Sequence, residues 1–196
     1  MEISYNRDEV RLVKLSQKGD AKAQYRLYVL YSKAMFNIAI RMTNCHETAE
    51  DILQDAFIKA FSEIRKLKNE KAFGGWLKRI VINLCIDNSR NKKMFHTDME
   101  LIQNRHLEIA EEVESFTDPE MVHNYIKKLP DGAREILVLR AFEGYRYAEI
   151  SDELGISEST AKTQFFRAKK LLATMINDTE YERGSGKIFK REPNKA

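Results

Sequence analysis

The segment YAEISDELGISESTAKTQFFRAKKLL, residues 147–172, decides the fold of this chain. Ala148, Ile150 and Leu154 recur at helical spacing and stop at Gly155, the residue best suited to a left-handed backbone in a tight turn. Ile156 follows as a plug between two helices, and Ser157 offers its hydroxyl as the cap of a second helix. Two short helices joined in this way predict a helix-turn-helix. At about 100° per residue, Ala161, Phe165, Ala168 and Leu172 fall on one side of the second helix and should pack inward. Ser159, Lys162, Thr163, Phe166, Arg167 and Lys170 fall opposite. Hydroxyls, cations and one exposed ring suit a DNA major groove: Lys and Arg pair with phosphate or guanine, Ser and Thr with base or backbone, and Phe166 can touch a thymine methyl. The competing reading is a solvated amphipathic helix in an ordinary bundle.

Outward from this segment the same periodicity holds almost throughout. With only 3 Pro and 8 Gly in 196 residues, long stretches run unbroken, which predicts an all-α protein. Asp20 can cap a helix through AKAQYRLYVLYSKAMFNIAIRMT, with a short helix before it. A break at Asn44, or at His46 and Glu47, precedes ETAEDILQDAFIKAFSEI, and a third long helix should begin near Trp76. These helices form a first domain over residues 1–93. Residues 94–119 lose periodicity and gather Asp98, Glu100, Glu108, Glu111, Glu112, Glu114 and Asp118 against Arg105, which reads as an acidic linker. A second domain of four short helices spans residues 120–176, and residues 177–196 read as a flexible tail.

The third long helix, WLKRIVINLCIDNSRNKK from Trp76, is apolar around most of its circumference. Trp76, Arg79, Asn83, Asp87 and Arg90 nevertheless collect in a stripe roughly 80° wide. Such a stripe is either an internal hydrogen-bonded ladder or a surface meant for a partner. A buried ladder would need acids to balance both arginines, and Asp87 alone is a poor match. The basic ending SRNKK favours a phosphate-bearing partner. Charge is segregated along the chain: Glu47, Glu50, Asp51, Asp55 and Glu63 make the preceding helix acidic.

Composition narrows the function classes further. The net charge of +3 is too small to identify a nucleic-acid partner by itself, and no apolar run reaches the ~20 residues of a membrane span. The first twenty residues lack the pattern of a secretory signal, and two cysteines, Cys45 and Cys85, make no disulfide framework. A reducing cytoplasm is the expected setting. Cys45, His46 and Asp51 are too loosely spaced for a metal site, while His96 and His106 fall in the linker. GSGK at Gly184 lacks the first glycine and the Ser/Thr of a phosphate loop. Neither a metal site nor a phosphate loop is therefore expected.

Taken together, ETAEDILQDAFIKAF, FGGWLKRIVINLCIDNSRNKK, LPDGAREILVLRAFEGYRYAEISDELGIS and TAKTQFFRAKKLL resemble, in this order, the motifs of bacterial sigma factors of the extracytoplasmic-function (ECF) type, over roughly residues 20–173. The resemblance implies two helical domains, sigma regions 2 and 4, that bind core RNA polymerase, direct it to promoter DNA and assist melting, with no catalytic residue, cofactor or small-molecule substrate of their own. It implies that Glu50, Asp51, Gln54 and Asp55 dock on core polymerase. It assigns Lys71, Phe73, Trp76, Arg79, Asn83 and Arg90 to the −10 element, with Asp87 orienting Arg90 or Asn83 and Trp76 either a core anchor or a stacking platform. It assigns Ser159, Lys162, Thr163, Phe166, Arg167 and Lys170 to the −35 element, and residues 136–142 to the polymerase flap. Gln164 and Lys169 depart from the family pattern, which bears on DNA preference. An anti-sigma factor is a further implied partner. The alternative function is a free-standing helix-turn-helix repressor or activator.

Overall fold

The computed structural model describes the backbone over residues 7–95 and 124–185, and the side chains over 8–90 and 124–176. The chain divides into two units, Met1–Leu101 and Ile102–Ala196. All regular elements among the described residues are helical.

The first unit contains α1 (Arg7–Gln17), α2 (Ala21–Thr43), α3 (His46–Glu63) and α4 (Phe73–Phe95). Gly19, at φ 89°, reverses the chain between α1 and α2, and the Asp20 carboxylate accepts from the Ala23 amide at 3.0 Å, capping α2 as its position predicted. At the other end Asn44 takes the left-handed conformation, φ 54°, and its N–H donates to the Ile40 carbonyl. The break expected there is therefore a cap built by one asparagine.

α1 also fixes the exit from α3. The Gln17 amide donates to the Ile64 and Leu67 carbonyls at 3.1 and 2.9 Å, and Arg65 Nε donates back to the Gln17 carbonyl at 3.1 Å. These bonds hold two short 3₁₀ turns, Ile64–Lys66 and Glu70–Ala72, that lead directly into α4. α4 consequently starts at Phe73, earlier than Trp76, because the Asn69 side chain accepts from the Lys71 amide and closes the turn just before it. Two glycines in its first turn do not delay the helix.

The core of this unit contains the fully buried Val13, Leu27, Ile64, Phe73, Leu77, Val81, Ile82 and Ile86. Each large side chain removed from water in this way contributes roughly 1.5–3 kcal/mol. Cys85 is buried among them and behaves as a small hydrophobe.

The second unit begins, within the described residues, with a helical turn at 124–126, followed by α5 (Asp131–Leu137), which continues as a π turn over Val138–Phe142. Arg134 is 3% exposed, and its guanidinium donates to the Leu129 carbonyl at 2.9 Å and to the Asp131 carboxylate. Its charge is thus paired and hydrogen-bonded, which is what permits its burial. Then come α6 (Tyr147–Leu154) and α7 (Glu158–Ser185). The turn between them has the expected chemistry: Gly155 at φ 66° donates to the Ser151 carbonyl, and Ser157 Oγ accepts from the Thr160 amide at 3.1 Å. Ile156 is half-buried, and its backbone is tied at both ends to Ser151.

Two details differ from the periodicity. Ala148 is exposed, and Phe165 is only half-buried because its ring edge rests on Tyr147, with centroids 6.1 Å apart, at the rim of the unit. α7 also runs to Ser185, into the segment read as a tail. Glu180, Glu182 and Arg183 are good helix formers, so the helix outlasts its apolar stripe. The acidic linker lies outside the described residues except for 94 and 95, which belong to α4.

Candidate nucleic-acid and protein interfaces

In the second unit, α7 presents Ser159, Lys162, Thr163 and Phe166 to solvent, with Arg167 and Lys170 half-buried beside them. Phe166 is 62% exposed, which leaves an aromatic face on this side of the helix open to contact. Ala161, Ala168 and Leu172 on the reverse side are buried, so the helix is held by one face and offers the other. Lys162 lies 3.9 Å from Glu158 and 5.7 Å from the centroid of the Tyr147 ring, and Arg140 stacks over the same ring at 4.8 Å. Tyr147, which sequence reasoning did not single out, therefore gathers two cations beside the turn.

In the first unit, every residue of the α4 stripe reaches the surface at least in part. Arg79 and Arg90 are exposed, Trp76 and Asn83 are half-buried, and Lys71 is exposed on the preceding 3₁₀ turn. Asp87 lies 3.8 Å from Arg90, the orienting contact expected of it. The Asn83 side-chain oxygen is shielded and accepts no hydrogen bond among the described residues, which leaves an acceptor unused on this face.

Phe73 requires a correction. It is 0% exposed, packed edge-on against Tyr31 at 5.4 Å and against Trp76 at 6.1 Å, and so cannot touch DNA in this conformation. The helix starts at Phe73 itself, and that first turn points its ring into the core. Trp76, one turn along, rests on Phe73 with its remaining surface open, serving as anchor and rim together.

Glu50, Asp51, Gln54 and Asp55 are all exposed on α3, opposite the buried Ala49, Ile52, Leu53, Ala56 and Phe57. Ile58, which sequence reasoning passed over, sits in the middle of the acidic stripe and is 69% exposed. An aliphatic residue ringed by charges has the anatomy of an interface anchor. Its helical phase, one turn after Gln54 and Asp55, is the signal that could have found it. His46, at the start of the helix, lies 3.4 Å from Glu50.

A helix-turn-helix unit with an open recognition face, carried on the same chain as a helical unit with separate basic and acidic faces, defines a transcription protein with more than one macromolecular partner. Residues 27–94 match sigma-70 region 2, and residues 120–172 match sigma-70 region 4. The chain is 31% identical to the ECF RNA polymerase sigma factor SigW of Bacillus subtilis, over 85% of this chain and 95% of that one. It is 28% identical to the RNA polymerase sigma-H factor of Pseudomonas aeruginosa, over 83% and 90% respectively. The chain belongs to the ECF sigma factor family.

Among solved structures, the sigma factor RpoE bound to the anti-sigma factor NepR, from Bartonella quintana, shares the fold with a TM-score of 0.51 at 21% identity, covering 78% of this chain and 96% of that one. CnrH, solved in complex with the cytosolic domain of CnrY, shares it with a TM-score of 0.50 at 20% identity, covering 87% and 97%. Among the described residues no helix is long and apolar enough to cross a membrane, and no group of three His, Cys, Asp or Glu side chains could hold a metal ion.

Proposed function

We infer that this chain is a sigma factor that binds core RNA polymerase, directs it to promoters and assists strand opening. The observation that carries this reading is the order of the two matches, region 2 followed by region 4 in one chain. A free-standing helix-turn-helix regulator has no use for the first unit, whereas a sigma factor needs both. The exposed side chains support a division of labour among the helices. The exposed acids and Ile58 of α3 suit a basic, partly apolar surface on the polymerase. Arg79, Arg90, Lys71 and the open edge of Trp76 suit separated −10 strands, held by phosphate contacts and base stacking. Ser159, Lys162, Thr163, Phe166, Arg167 and Lys170 suit the major groove of the −35 element.

By the same reading the protein works in the cytoplasm beside polymerase and genome, acts without a catalytic centre of its own, and is held in check by an anti-sigma factor. The helices around residues 136–142 would meet the polymerase flap. Reconstitution tests the whole proposal: purified core polymerase plus this chain should yield defined transcripts from a promoter selected out of random DNA. Retardation of that DNA by the chain alone, with repression in place of transcript start, would establish the regulator instead.

A further inference from the structure

We propose that this chain pairs with a second copy of itself, the basic outer face of α2 in one copy lying against the acidic outer face of α3 in the other. α2 carries no acidic residue in its 23 positions. Lys22, Arg26 and Lys33 fall within one narrow arc of its solvent side, and none of them forms an ion pair among the described residues. Between and beside these cations stand Tyr25, Val29 and Leu30, exposed by 69, 58 and 56%. Monomeric proteins rarely gather aliphatic and aromatic side chains on a solvated helix face without a partner. Nucleic acid would satisfy the cations but leave Val29 and Leu30 against phosphate and water. The missing partner must therefore be both acidic and apolar.

α3 presents that combination. Glu47, Glu50, Asp51 and Asp55 surround the exposed Ile58, just as the α2 cations surround Val29. Each face is one helix wide, with an aliphatic centre and charges of a single sign. The two helices are neighbours, joined by the ring contacts Tyr28–Phe57 at 4.8 Å and Phe36–His46 at 5.1 Å. One two-fold axis can then set each copy's α2 against the other's α3, closing a dimer instead of a filament.

A consequence rests on the reading of α3 as the polymerase-docking helix. In the pair that face is covered, so pairing competes with polymerase loading and holds the factor in reserve when it outnumbers free core enzyme.

Sedimentation equilibrium of the full chain tests the pairing. The wild type should show a monomer–dimer equilibrium that weakens as salt rises. A variant with Lys22→Glu, Arg26→Glu and Lys33→Glu should pair at least ~10-fold more weakly, as should one with Glu50→Lys, Asp51→Lys and Asp55→Lys. An equimolar mixture of the two should recover the dimer, because each then meets the charge it lacks. Should triple reversal unfold the chain by circular dichroism, the single changes Arg26→Glu and Asp55→Arg give the same cross-rescue readout. A wild type that stays monomeric at every concentration overturns the proposal, as does a dimer that neither reversal weakens. Loss of polymerase binding by the α2 variant under conditions where the wild type is monomeric also overturns it, and assigns the basic face to the polymerase. Transcription from a promoter by the wild type with core polymerase would leave the sigma-factor reading standing in any of those cases.

Discussion

Gly74 lies against the ring of Tyr31, so close that a Cβ placed on it would stand 2.8 Å from the ring carbon Cε1 and 2.9 Å from the phenol oxygen. The first turn of α4 approaches α2 through this contact. Tyr31 in turn donates its hydroxyl hydrogen bond to Glu9 on α1 and receives the edge of Phe73. Three helices thus meet at one phenol, and that meeting sets where the α4 stripe points.

Gly74→Ala forces the Tyr31 ring to move or the helix to lift. We expect a loss of about 1–3 kcal/mol in stability, the usual range for overpacking, measured as a shift in the urea midpoint. The neighbouring Gly75 has open space beyond its Cα, so Gly75→Ala should be neutral or slightly stabilising in the same assay.

The Tyr31 phenol is pushed well above its ordinary pKa of 10.0, first by burial and then by the hydrogen bond and negative charge of Glu9. The folded chain therefore keeps this proton at a pH where the unfolded chain releases it. The resulting contribution to stability is complete below pH 10 and declines as the pH rises above it. Tyr31→Phe should flatten the alkaline limb of a stability-versus-pH curve while leaving the neutral limb lowered by the loss of one hydrogen bond.

Changes at Phe73 and Arg79 test packing and the proposed DNA contact separately. Phe73→Ala removes a fully buried ring and should lower stability by about 3–5 kcal/mol. Arg79→Ala removes an exposed cation, and its melting curve should stay within about 0.5 kcal/mol of wild type. Only the Arg79 change should slow promoter opening, read as permanganate reactivity of −10 thymines, in protein shown to be folded.

Ile58→Ser touches little of the core because the side chain is 69% exposed. Core-polymerase affinity should nonetheless fall roughly 10-fold, about 1.4 kcal/mol, the scale of an interface anchor. Fluorescence titration of labelled protein with core enzyme reads this directly, and an unchanged affinity would remove Ile58 from the interface.

On α7, Lys162→Ala should weaken binding to all promoter sequences and reduce the slope of log K against log salt by about 1. Phe166→Ala should instead erase a preference for thymine at one −35 position, with little effect on the salt slope. Competition binding by holoenzyme to single-base promoter variants distinguishes the two.

The helix-turn-helix was legible because its signals are local. Gly155 and Ser157 act within a few residues of themselves, and the structure uses both as their chemistry requires. The same holds for Asp20 and Asn44, and for the acidic face of α3, whose phase follows from its buried positions. Phe73 was misread for a physical reason. Whether the two glycines after it lie in a loop or in the first turn of α4 depends on Gln17, Arg65 and Tyr31, which are distant in sequence.

By itself the sequence determined an all-helical chain of two units, the helices in each, and the sign of charge on each face, since these depend on periodicity, caps and composition. Tertiary structure decided which side chains on those faces remain available. Phe73 was withdrawn into the core, and Ile58, Tyr25, Val29 and Leu30 were left outside it. Burial is a property of neighbours brought together by the fold, and a helical wheel knows the direction of a side chain but not what stands in front of it.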